Sequence, residues 1–297
     1  MKRFAAVLFL LVAGCGTFGA QAHTIALAYK AGDTFKYRLH ATVDYTVGVQ
    51  GMSVPLKLDV TGDETATVKS VDSSGTADVD LAISNLTAKT TIAGTTNTTT
   101  SSNTTNVELQ VGSDGRILSV NGNALGSGSV PGLSPGGLIS AILPDTAVKP
   151  GDTWTKNFDQ ANPKGTGTVH VTTNNKYARD ESVDGVNAAV VESNITSAIN
   201  LTFDTSALAG QGGGLTLPGG GPASAARAIK SVTVAGTTTS DVTSWIDVSA
   251  RRLLKTHSTG TLDGTITLTM AAGATATPGL TGPITVKGTQ SLDVDPA

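Results

Sequence analysis

The sequence predicts a mainly β protein, a large curved antiparallel sheet or half-barrel made from a duplicated β unit, with one or two short helices. Three observations predict it. Apolar residues recur at every second position over long stretches, turn-forming pairs interrupt those stretches, and three blocks of the first half return in the same order in the second.

The alternation starts early. Tyr37, Leu39, Ala41, Val43, Tyr45 and Val47 would share one face of a long strand, and Leu56, Leu58 and Val60 continue the pattern. Ala77, Val79, Leu81 and Ile83 alternate with Asp78, Asp80 and Ser84. Val107, Leu109 and Val111 form another set, as do Ile266, Leu268 and Met270. One face buried and one solvated is the antiparallel pattern. Asp72-Ser73-Ser74-Gly75, Asp114-Gly115, Asp184-Gly185 and Asp263-Gly264 read as turns, because Gly accepts a positive φ at no steric cost. The Thr/Asn tract 95–106 reads as low-complexity sequence or a polar edge strand.

One or two short helices are expected. Pro135 in a first turn, Leu138 to Leu143, and Pro144 as a stop predict one over 135–143. The Ala-rich stretch Pro222 to Lys230 predicts the other. Both adjoin Gly-rich stretches, 121–137 and 209–221, which read as loops.

The repeat is the most specific feature. Lys30-Ala31-Gly32-Asp33-Thr34-Phe35 parallels Lys149-Pro150-Gly151-Asp152-Thr153-Trp154. Val68 to Asn85 parallels Tyr177 to Asn194, and Thr98 to Ser119 parallels Thr237 to Lys255. The units span about 29–120 and 148–257, and they predict that Phe35 matches Trp154 and that Leu109 matches Ile246. Residues 23–297 are expected to form a single β-rich domain of these two repeats plus C-terminal strands.

Composition narrows the function. Charged residues are 14%, and 20 basic against 23 acidic residues leave no basic stripe for phosphates, so nucleic acid is not an expected partner. Aromatics at 4% require a core of Val, Ile, Leu and Ala. Lys2 and Arg3 ahead of the apolar run Phe4 to Val12 read as a signal peptide, too short to span a bilayer. Two processing sites compete. Val12-Ala13-Gly14-Cys15 resembles a lipobox, which would remove residues 1–14 and acylate Cys15. Ala20-Gln21-Ala22 would remove residues 1–22 and leave His23 first. Export to the periplasm or beyond follows from either, with a membrane contact only through a lipid anchor. Cys15 is the only cysteine, so no disulfide is expected in the mature chain.

Catalytic, cofactor and metal sites are not expected. His23, His40, His170 and His257 stand in no metal-ligand spacing, and His40 and His170 read as solvent-facing strand positions. Asp78 with Asp80, and Asp293 with Asp295, each share a strand face. Calcium needs six to eight oxygens, so a solvated face is the better reading. No Ser-x-x-Lys pair or phosphate-binding loop occurs. Phe35 and Trp154 are expected to pack in the core rather than bind a ligand.

Gly32-Asp33-Thr34-Phe35, its second copy after Leu143-Pro144 and Val148, and Trp245-Ile246-Asp247 ahead of Arg252-Leu253 resemble a family of bacterial exported proteins. Proteins of this look are similar to lipoprotein-carrier-like half-barrels, in which a curved sheet cups an apolar cavity. The resemblance covers most of 25–260, and the Gly-rich stretch 209–221 departs from it. It implies non-covalent binding of a lipid-like or other apolar ligand. The alternative is a structural or surface-interaction protein of the cell envelope.

Overall fold

The computed structural model describes residues 22–124, 140–162, 165–204, 229–271 and 282–297. Residues 1–21, with Cys15 and most of the expected signal peptide, lie outside them, as do most of both Gly-rich stretches. The described residues form a strongly curled antiparallel half-barrel.

The first half is a meander. It runs through β1 (Thr34–Val49), β2 (Met52–Val71) and β3 (Ala77–Ile92), then β4 (Thr95–Ser101), β5 (Thr105–Val111), β6 (Ile117–Val120) and β7 (Asn123–Ala124). β3 is long enough to pair with β4 over one part and β5 over the other. The second half comprises β8 (Thr153–Ala161), β9 (Gly165–Val183), β10 (Val186–Asp204), β11 (Ile229–Asp247), β12 (Arg252–Met270) and β13 (Ile284–Pro296). The spatial order is β7-β6-β5-β3-β2-β1-β13-β12-β11-β10-β9-β8, with β4 beside β3. The halves therefore join through β1 and β13, from Tyr37 opposite Pro296 to Val49 opposite Ile284.

Period-2 alternation decides which face turns inward. On β1 the inner face carries Tyr37, Leu39, Ala41, Val43, Tyr45 and Val47; on β2 it carries Leu56, Leu58, Val60, Glu64, Ala66 and Val68. One end of the half-barrel is closed by a core drawn from both halves. Val68, Val79, Leu81 and Leu109 pack there with Tyr177, Val191, Ile246 and Leu253. Residues 23–29 thread this end: Ile25 and Leu27 are buried, the Leu27 amide donates to the Ser113 carbonyl, and the Ala28 amide to that of Arg251. A second apolar cluster, including Val169, Ile199, Leu201, Phe203 and Val234, lies toward the far end on β9–β11.

The first expected helix is corrected over its described part, 140–143; residues 135–139 lie outside the described residues. Residues 140–143 are buried but not helical. The Ala141 amide donates to the Ser244 hydroxyl, the Leu143 amide to the Asp114 carbonyl, and the Trp154 indole N–H to the Ile142 carbonyl. With its backbone groups engaged by other strands, the segment lies extended across the closed end. Ile229 and Lys230 open β11, and the rest of the second expected helix lies outside the described residues. Asp263-Gly264 is also no turn; it lies inside β12. Gly264 sits opposite Gly236, where a Cβ on Gly236 would come within 2.6 Å of the Gly264 Cα. Close backbone approach thus requires a glycine at 236, and Asp263-Gly264 makes no chain reversal.

The two Gly-Asp openings are built alike. In the first, the Asp33 carboxylate accepts from the Lys30 amide, the Gly32 amide donates to the Val68 carbonyl, and the Val68 amide donates to the Asp33 carbonyl. In the second, Asp152, Lys149, Gly151 and Tyr177 make the same three bonds. Gly32 and Gly151 have φ of 91° and 98°. Further along, Val68 faces Val79 while Tyr177 faces Val191, so the second hairpin is longer between those partners. Ala77 opposite Val111 then corresponds to Ala189 opposite Ile246. Ile246 thus sits where Val111 does, one inner position away from the expected Leu109.

Candidate functional site

The outer face holds ion pairs. His40 contacts Asp59 at 3.1 Å and His170 contacts Asp159 at 2.7 Å, while His257 contacts Asp293; all three histidines are exposed. Asp78 accepts from Ser70 and Gln110, and Lys69 bridges Asp80 and Glu108. These last residues border an outer groove of about 320 Å³. Its hydrogen-bonding groups are largely engaged with each other. Asp295 lies opposite Arg38 across the β1–β13 pair. Among the described residues, no three His, Cys, Asp or Glu side chains are grouped as metal ligands would be.

Phe35 and Trp154 both pack against the closed-end core, partly buried. Phe35 meets Tyr29 with ring centroids 5.9 Å apart, and the Arg252 guanidinium stands 6.0 Å above it. Lys156 reaches Asp114 at 3.2 Å and Asp145 at 2.8 Å, and Arg116 lies 5.3 Å from the Phe158 ring centroid. Together these contacts tie the β8 edge to the β5–β6 turn at the closed end. A cavity of about 30 Å³, lined by Leu27, Tyr29, Phe35, Tyr37, Ser140 and Leu253 among others, has room for water and no more.

The inner face changes character along its length. Beyond the closed core it becomes polar: Glu64, Asn175, Ser193, Ser244 and Thr256 are all buried. Ser244 and Thr256 bond each other at 3.0 Å. Tyr45, further along, donates to Gln290 at 2.7 Å, and burial pushes its phenol up to about 12. Glu64 is the outstanding group. It is 3% exposed, its Oε1 has no hydrogen-bond partner, and burial pushes its carboxyl up to about 7. Tyr37 lies directly opposite it on β1, its hydroxyl donating to the Leu253 carbonyl. Sequence reasoning missed Glu64, although the signal was present: it interrupts the apolar series Leu56, Leu58, Val60, Ala66, Val68 at an inward position.

Toward the far end the same face is aliphatic and only half covered. Ala41, Val43 and Val47 of β1, Leu56 and Leu58 of β2, and Val286 of β13 are each half-buried, and Met52 is 65% exposed. The arrangement offers a curved apolar surface that meets a polar tier. No protein-family model matches the chain, and no curated protein matches it.

Proposed function

We propose that this is an exported, non-catalytic protein that binds an elongated apolar or lipid-like ligand on the inner face of its half-barrel. One observation carries the reading: aliphatic inward side chains of β1, β2 and β13 stay partly exposed toward the far end, while the closed end is packed. A concave surface of that kind gains most from a ligand that removes it from water. The basic start and short apolar run support export, and the lack of a Ser-x-x-Lys pair and of metal-ligand histidine spacing in the sequence supports the non-catalytic part. We also read the paired openings and matching strand sequence as a duplicated β unit.

Native mass spectrometry of protein purified from its own host tests both parts. Co-purifying lipid, with residues 1–14 or 1–22 missing, is the expected result. Protein with no bound apolar molecule and an intact Met1 in the cytosol would overturn it. The same spectrum separates an acylated Cys15 from a chain starting at His23.

A second reading has its own observation. β4 is a Thr/Asn strand, exposed along nearly all its length, and among the described residues it pairs only with β3. An uncharged free edge suits strand addition by another protein. Binding to envelope proteins that is abolished by Thr98→Pro, with no lipid found, would favour a surface-interaction role.

A further inference from the structure

Strand register brings one set of strand ends together at the far rim. Val49 faces Met52 of β2 and Ile284 of β13, Ile284 faces Ile266 of β12, and Leu56 faces Ile92 at the end of β3. The far ends of β4, β3, β2, β1, β13 and β12 therefore stand side by side. Cross-strand charges bound this region along a diagonal. Asp59 faces Lys89, Asp44 meets Lys57 at 2.7 Å, and Asp263 meets Lys287 at 2.9 Å. Beyond them, the described residues of these strands and their turns include no Asp, Glu, Lys, Arg or His. From Asp44 to the tip at Val49 the strand runs about 16 Å. Neighbouring β10 and β11 end differently, with Asp204 and Lys230.

The rim is apolar as well as uncharged. Met52 is 65% exposed and Ile92 49%, and both stand on it. Among the described residues the other exposed large apolar side chain, Leu118, lies on β6 at the closed end. The outward positions of β1, β2, β12 and β13 at the rim are Thr, Ser, Gly and Pro, such as Thr46, Ser53 and Thr265.

These side chains select the kind of partner. A protein partner is held mainly by aromatic side chains and Arg. Beyond Tyr45, the described residues of this rim contain neither. Acyl chains require only aliphatic contact and no charge that would have to leave water. Hydroxyl-bearing outward positions suit the hydrated head-group layer. With 23 acidic against 20 basic residues in the chain, and no cation on the described rim, anionic lipid offers no gain.

We propose that the far rim docks on the surface of a zwitterionic lipid bilayer, with Met52 and Ile92 entering it and the diagonal of ion pairs remaining in water. The contact needs neither an acylated Cys15 nor a ligand on the inner face.

Flotation of residues 23–297 with phosphatidylcholine vesicles tests it; this chain contains no cysteine and so no acyl anchor. Binding should be the same at low and high salt, and no tighter when phosphatidylglycerol is added. Met52→Asp combined with Ile92→Asp should weaken it about tenfold or more, because two exposed side chains lose their burial in lipid. Leu118→Asp should leave it unchanged. If the double variant fails to fold, an environment-sensitive nitrobenzoxadiazole label decides: on Met52→Cys its emission should shift to the blue with vesicles, and on Leu118→Cys it should not. No vesicle binding by the wild type, binding that needs phosphatidylglycerol and fades with salt, binding that survives the double substitution, or equal label shifts at both positions would overturn the proposal.

Discussion

Above neutral pH the Glu64 carboxyl carries charge in a place water barely reaches. Its folded value of about 7 lies above the ordinary 4.5, so the folded state holds the proton more tightly than the unfolded chain. Its contribution to stability is thus fully present below about pH 4.5 and is lost as pH rises through about 7. The loss is on the order of 3 kcal/mol for a shift of this size. Urea unfolding at pH 5 and pH 8 should show the wild type weaker at the higher pH, and Glu64→Gln should remove most of that difference. An unchanged pH slope in the variant would mean that Glu64 is not the group responsible. The histidines are the contrasting case. His40, His170 and His257 are exposed and their Asp partners are solvated. Single replacement by Gln should shift stability by no more than about 0.5 kcal/mol in either direction. A drop of several kcal/mol in the same urea experiment would reveal a role beyond a surface pair.

Elements show how local chemistry sets shape. Gly32 and Gly151 each take a φ that L side chains avoid, yet a Cβ at either would meet no atom within 4 Å. Replacing either by Ala therefore strains only the backbone, and both substitutions should cost about 1–2 kcal/mol. Denaturation midpoints that differ widely between the two variants would show that the openings are not mechanically alike. The long strands were legible in the sequence, because their alternation runs unbroken from Tyr37 to Val47 and again from Ala77 to Ile83. The extended course of 140–143 was not. Leu and Ile between two prolines fit a helix locally, and only partners such as Ser244 and Asp114, far away in the chain, hold the segment straight. The turns at Gln50-Gly51 and Ala93-Gly94 were also hidden. Their first residues take the left-handed conformation without the Asn or Asp that normally marks it. In the candidate site, the charge of Glu64 could be noticed from period alone. That Asn175 and Ser193 stand opposite each other could not, since it depends on the register of β9 against β10.

At the scale of the whole molecule, the closed-end core belongs to neither half alone. Val68, Val79 and Leu81 of the first half pack with Tyr177, Val191 and Ile246 of the second, and residues 23–29 fill the space between. A fragment of residues 148–297 would expose half of that cluster and the β13 edge that β1 covers. It should lack a cooperative thermal transition and bind a hydrophobic dye. A sharp transition in calorimetry would instead mean two independent domains.

The β1–β13 pairing also imposes a timetable. A chain appearing N-terminus first completes β1, β2 and β3 early, and the outer edge of β1 then waits for β13. With about 250 residues between them, synthesis at the usual rate makes that wait roughly 12–50 s. During it a bare strand edge is open to pairing with another copy. β1 bears Lys36, Arg38 and Asp44 between its apolar residues. The adjacent like charges of Lys36 and Arg38 hinder stacking of identical strands. Neutralising those two would leave the finished half-barrel little changed and make newly made chains aggregate before the last strand arrives.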